Sequence, residues 1–206
     1  MKKIMFNDRY GLTQAVIEGR NTMTRRLVPW SLTEQWIEFV SDAPSVGGVY
    51  VHESEKDFYE RETPRYKVGE IVAVAQNYFS TYDESKWENG IWYNEFADGS
   101  DITNHAGWLN KMLVKAEYMP HQIRITGIHC ERLQDISDAE CLKEGVRVEF
   151  ARNGSPMYYY FDTKRWREVW FDTPREAFAA LIDKVSGRGT WKSNPWVVVY
   201  EFELVK

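Results

Sequence analysis

The chain has 206 residues, which fits one domain with room for long insertions, and its hydrophobic share of 43% is enough for a proper core. A net charge of −5 argues against a general nucleic-acid coat protein, and no apolar run approaches the ~18–20 residues that span a bilayer. Two cysteines, Cys130 and Cys141, are too few for a disulfide framework and have no zinc spacing, so both read as reduced structural thiols.

The opening residues Met1–Asp8 carry two lysines but no sustained apolar stretch, a poor signal peptide, so the expected compartment is the cytoplasm. Ile4–Phe6 reads as a short strand. Thr13 is placed to cap a short helix holding Ala15, Val16 and Ile17, with Gly19 as its stop. The β-forming segment Thr22–Thr24 follows, flanked by arginines. Residues 30–65, with scattered acids and Gly47-Gly48, read as an insertion or surface loop containing a short helix about Thr33–Val40. Lys67–Glu70 is a turn entering Ile71–Ala75, whose continuous apolar run predicts a strand buried on both faces. Residues from about 80 to 118 form a second, polar insertion with Trp87, Trp92, Tyr93 and Trp108, expected to lie as a hairpin over the barrel.

Gln122–Ile128 alternates Ile123 and Ile125 with Arg124 and Thr126, a strand with one face inward. Ser137-Asp138-Ala139-Glu140 is a capping box, opening a helix that stops at Gly145. Tyr158–Phe161 is strand-like. Thr173-Pro174-Arg175-Glu176 opens a second helix, with Phe178, Leu181, Ile182 and Val185 on one stripe and Gly187 as its end. Val198, Tyr200, Phe202 and Leu204 alternate with Val199, Glu201 and Glu203 in a terminal strand. Strands separated by short helices, without a βαβ rhythm, predict an α+β fold built on a small mixed barrel.

Several chemistries have no sequence support. Ser186-Gly187-Arg188-Gly189-Thr190 is a helix stop and turn, not a phosphate-binding loop, and no Gly-x-Ser-x-Gly elbow occurs. His52, His105, His121 and His129 fall in separate places, so neither a metal nor another cofactor is expected. Charge is uneven, however. Residues 1–26 hold Lys2, Lys3, Arg9, Arg20, Arg25 and Arg26 against Asp8 and Glu18, a positive patch on an acidic body that suits a specific anionic ligand. The turn Gly19–Arg26 concentrates hydroxyls and guanidinium forks, which match phosphates and base edges.

The Gly-Arg-x-Thr-x-Thr-x-Arg turn, the strand entry Tyr66-Lys67-Val68-Gly69-Glu70-Ile71-Val72 and the terminal Val199-Tyr200-Glu201-Phe202 resemble the ASCH domains of the PUA-like superfamily. Met119-Pro120, Arg124-Ile125, Arg132–Ser137, Glu144-Gly145, Trp191 and Asn194-Pro195-Trp196 resemble a branch common in phages and prophages. The resemblance implies a single domain over residues 1–206, with a PUA-like mixed β-barrel, short flanking helices and a cleft beside the first helix. The two insertions, about 30–65 and 80–118, lie outside it.

It also implies RNA or modified-nucleoside binding. Arg20, Thr22, Arg25 and Arg26 would meet phosphate or base edges, Asn21 would read a base edge, and Tyr78 or Trp108 would stack. ASCH domains typically carry Gly-x-Lys-x-x-Glu-x-Arg here; this chain keeps Gly19 and Arg26 but has Asn21 for Lys and Thr24 for Glu. One ASCH group hydrolyses the amide of N4-acetylcytidine with Lys and Thr from this turn and a downstream Glu. Thr24 and Glu144 match the latter two, and Asn21, which cannot take a hydroxyl proton, would only orient or donate. An amidohydrolase is therefore the alternative. A phage-encoded protein-interaction module, using the Trp-rich insertions as its interface, is the third reading.

Overall fold

The computed structural model describes residues 1–42, 45–46, 49–50, 54–81 and 102–205. Its strands are β1 (Lys3–Ile4), β2 (Met23–Leu27), β3 (Ser45–Val46), β4 (Val49–Tyr50), β5 (Ile71–Val74), β6 (Gln122–Arg132), β7 (Arg147–Phe150), β8 (Pro156–Asp162), β9 (Arg167–Phe171) and β10 (Trp196–Leu204). The α-helices are α1 (Leu12–Ile17), α2 (Trp30–Asp42), α3 (Glu55–Glu62), α4 (Tyr78–Thr81), α5 (Asp138–Lys143), α6 (Pro174–Val185) and α7 (Thr190–Ser193). The architecture is mixed α+β.

The main sheet has the order β1-β5-β6-β10-β2, with β1 parallel to β5 and the other neighbours antiparallel. Alternation places β6 as expected: Ile123 and Ile125 are buried, Arg124 and Thr126 exposed. β10 is different, because Val197 to Tyr200 are all buried. Val198, Tyr200 and Phe202 join one core with Ile4, Val72 and Ile123, while Val197 and Val199 join a second with Leu133, Cys141 and Phe178. β10 is thus covered on both faces, and its C-terminal end alone is half solvated. The stripe Ala177, Phe178, Leu181 and Ile182 is what α6 buries. Each large side chain on it contributes about 1.5–3 kcal/mol of transfer free energy. The Ser137–Glu140 capping box starts α5, and the Thr173 side chain accepts from the Glu176 N–H to start α6.

The closed barrel expected from the sequence is not formed among the described residues. β1 and β2 are the two outer strands of the sheet, with no ladder between them. The sheet curls instead, helped by a bulge between Glu201 and Phe202, until its edges approach each other. Side chains fill the remaining gap: the Arg26 guanidinium donates to the Met5 carbonyl, and Phe6 meets Phe202 with ring centroids 5.6 Å apart. A two-residue β1 is too short to zip the seam by backbone alone.

Three other expectations change. The helix expected about Thr33–Val40 is present as the longer α2, and residues 30–65 hold a second helix, α3, where a loop was expected. Trp36 stacks on Phe39 and packs at a tilt against Phe58, and α3 is capped by Ser54, whose oxygen accepts from the Asp57 N–H at 3.1 Å. Thr13 lies inside α1, behind Gly11, and its hydroxyl donates to Asp8 Oδ1 and Phe6 O. The run Tyr158–Phe161 belongs to a separate three-stranded sheet, β7-β8-β9, in which Tyr160 and Phe171 pack toward the first core. Most of the second insertion, with Trp87, Trp92 and Tyr93, lies outside the described residues. Among the described residues no helix is long and apolar enough to cross a membrane, and no group of three or more His, Cys, Asp or Glu side chains could hold a metal.

Candidate functional site

β2 is an edge strand, so its outer N–H groups need partners from elsewhere. The end of α5 supplies them. The Thr22 N–H donates to Lys143 O at 3.0 Å, and the Arg25 N–H donates to Glu144 Oε2 at 3.2 Å. The close approach requires Gly145: its φ is +100°, and a Cβ there would stand 2.5 Å from Leu12 Cδ2. This is how a helix end 119 residues away reaches the turn after α1.

Strand alternation then sends consecutive arginines into opposite surroundings. The Arg25 side chain is fully buried, with Nη1 2.7 Å from Glu144 Oε1 and Nη2 2.6 Å from Glu131 Oε1 and 3.4 Å from Glu140 Oε2. Burial opposes its charge, but Glu144 and Glu131 outweigh that and hold its pKa above the ordinary value. Burial likewise pushes the Glu144 carboxyl up, against the pull of Arg25. Arg25 is therefore the hub of an internal ion cluster; it lines the second cavity, but its buried guanidinium is already engaged by three carboxylates.

Arg26 is the converse. It is half-buried, its guanidinium lies 5.7 Å from the Phe6 ring centroid, and it makes no ion pair among the described residues. Burial pulls its pKa down from the ordinary arginine value. It still carries its charge at neutral pH.

Two cavities meet at Arg26 and Leu27, along the seam between the edge strands. The first, of about 420 Å³, is lined by Lys3, Met5, Arg26, Arg65, Tyr66 and Tyr200 among others. Three of its lining residues are cations and none is an acid. Lys3 Nζ donates to Met112 O at 2.6 Å and Val114 O at 2.8 Å, and burial lowers its pKa. The Tyr66 hydroxyl donates to Lys3 O at 2.9 Å, and the Tyr200 oxygen accepts from the Arg65 N–H at 3.0 Å. These bonds fix two tyrosine rings, edge to face at 5.2 Å, beside the cations. The second cavity, of about 300 Å³, is lined by Phe6, Thr24, Arg26, Glu144, Phe178 and Leu181 among others. The Thr24 hydroxyl there has no hydrogen-bond partner among the described residues.

Of the residues expected to form a site, Thr24, Arg26 and Glu144 are brought together. Five others line neither cavity. Arg20 is exposed and pairs with Glu18 two residues away. Asn21 is buried, with Oδ1 accepting from the Met23 N–H at 3.3 Å, so it braces the turn. Thr22 uses its backbone on both sides, accepting from the Phe202 N–H at 2.9 Å. Tyr78 is buried against Val114 and Met119 and packs on His105. Trp108 packs on Phe79. Both aromatics hold the segment after β5, so neither is a stacking platform for the cleft. Lys3, Arg65, Tyr66 and Tyr200 were not singled out by the sequence. Lys3 belonged to the basic N-terminal surplus and the two tyrosines to the family-like blocks, whereas Arg65 carried no signal. Burial pushes the thiols of Cys130 and Cys141 to about 11 and about 12, so neither supplies a thiolate at neutral pH. No protein-family model matches the chain, and no curated protein or solved structure matches it, so the geometry of the seam carries the functional reading.

Proposed function

We propose that the chain is a cytoplasmic binding module of the ASCH type, its curled sheet a PUA-like barrel left open at the seam, and that the seam takes RNA or a phosphate-bearing modified nucleoside. The observation that carries this reading is Arg26, a half-buried cation with no ion pair among the described residues, at the junction of two cavities of which the first has no acid in its lining. A half-buried cation without an ion pair gains from an anionic ligand, and a guanidinium fork fits phosphate oxygens or a base edge. Tyr66 and Tyr200 add aromatic surface for a base beside the same cations. The test is a fluorescence titration with cytidine, cytidine monophosphate and short RNAs at rising salt. Phosphate-bearing ligands are expected to bind more tightly than cytidine, with log K falling by about 0.7 per neutralised phosphate for each unit of log salt. Absence of binding at low salt overturns the reading.

One observation favours a second reading, amide hydrolysis of an N4-acylated cytidine: the unpartnered Thr24 hydroxyl shares a cavity with Glu144. Thr24 Oγ would attack the acyl carbon, its proton passing through Glu144 to the departing amine, and water would then release the acyl group. Arg25 engages both Glu144 oxygens, which weakens Glu144 as a base. Cytidine released from N4-acetylcytidine by the wild type, and lost in Thr24→Val, establishes hydrolysis; no release leaves binding alone.

A further inference from the structure

The three-stranded sheet has two hairpin tips, and they are built differently. At the β7–β8 tip the left-handed backbone position is filled by Gly154, φ +82°. At the β8–β9 tip it is filled by Trp166, φ +50°, and that side chain is 80% exposed. For a bulky residue this conformation is unfavourable by about 1–2 kcal/mol. Packing returns little, since the indole touches Phe161 edge-on with centroids 5.4 Å apart and otherwise faces solvent. Around it Lys164, Arg165 and Arg167 are exposed, with no ion pair among the described residues. Glu168 is the one acid among residues 163–168.

The tip is also held still. Arg9 grips Asp162 through Nε at 3.2 Å and Nη2 at 3.1 Å, the Thr163 N–H donates to Arg9 O at 2.8 Å, and the Lys164 N–H donates to Asp162 Oδ1 at 3.1 Å. Asp162 is thereby consumed by Arg9 and does not neutralise the tip. Arg9 lies two residues after Asn7, which lines the second seam cavity, so the hairpin root adjoins that end of the cleft.

We propose that the β8–β9 tip is a contact for single-stranded nucleic acid, with Trp166 stacking on a base and Lys164, Arg165 and Arg167 meeting phosphates. An anchored aromatic among unpaired cations is the arrangement that holds single strands without reading sequence. A membrane surface fits less well, because interfacial binding needs a broad apolar face and Trp166 is the one large apolar side chain exposed at this tip. The inference rests on the hairpin, not on the seam reading.

The experiment is fluorescence anisotropy with a labelled oligouridylate of about 12 nucleotides at about 50 mM salt, beside cytidine monophosphate and anionic vesicles. Trp166→Gly is the key variant, since glycine accepts this backbone conformation and the protein should fold at least as well. It is expected to lose about tenfold in oligomer affinity. Replacing Lys164, Arg165 and Arg167 by Gln should flatten the salt slope by about 2. Neither change should alter any mononucleotide binding. Oligomer affinity unchanged in Trp166→Gly, or wild-type protein that binds vesicles and not the oligomer, overturns the proposal. Trp166-dependent oligomer binding without mononucleotide binding supports the hairpin and overturns the seam reading.

Discussion

Arg25 and Arg26 are neighbours on one strand, and the two sides of that strand handle charge in opposite ways. On the Arg25 side, Glu131, Glu140 and Glu144 converge on one guanidinium within 3.4 Å. On the Arg26 side, Lys3 and Arg65 join Arg26 around a cavity with no acid in its lining. A buried cation neutralised by the protein's own carboxylates holds the fold together. One left without them is, on the proposed reading, open to an anionic ligand. The comparison turns a roll of basic residues into two different assignments.

The largest effect should come from breaking the neutralised side. Arg25→Met leaves three carboxylates facing an apolar side chain and is expected to lower unfolding free energy by about 3–5 kcal/mol in urea titrations. An unchanged urea midpoint would mean the cluster is not structural. Gly145→Ala attacks the same side indirectly, by forcing Leu12 and Glu144 apart. A loss of about 1–3 kcal/mol is expected, given the positive φ and the 2.5 Å contact. Arg26→Gln tests the other side. Stability should move by less than about 1 kcal/mol, while affinity for a phosphate-bearing ligand falls about ten- to a hundredfold, as for a lost charge-assisted hydrogen bond. If that variant instead unfolds as Arg25→Met does, the contrast between the two arginines fails.

The smallest effect concerns a third arginine, Arg9, paired at the surface with Asp162. The hydrogen bond from Arg9 holds the Asp162 carboxyl below its ordinary 3.8. Its contribution is therefore complete above pH 3.8 and is lost as pH falls toward the lower folded value. The difference in melting temperature between wild type and Asp162→Asn should be present at neutral pH and shrink in acid. A difference that grew in acid would contradict the pairing.

Local signals carried well wherever one element could declare itself. The Ser137–Glu140 cap, the apolar stripe of α6 and the alternation of Ile123 and Ile125 appear in the structure as the residues implied. Signals that needed a partner were lost. The helix about Thr33–Val40 was legible, but α3 was not: Phe58 makes sense only against Trp36 of α2, so the rest of residues 30–65 read as loop. Tyr78 and Trp108 looked like stacking platforms because an aromatic in a polar stretch gives no hint of what covers it.

By itself the sequence determined most of the core strands and the two capped helices, that the first 26 residues carry a basic surplus, and that Gly145 ends a helix directly after the acid Glu144. Those are properties of periodicity, capping and composition, and they act over a few residues. The tertiary structure decided that the sheet curls without closing, which arginine meets the acids and which the open seam, and that Trp166 stands exposed at a fixed hairpin tip. Whether a charge is neutralised depends on groups more than a hundred residues away, as with Arg25 and Glu144, and burial and Coulomb interaction are set by distance in space, which spacing along a chain does not encode.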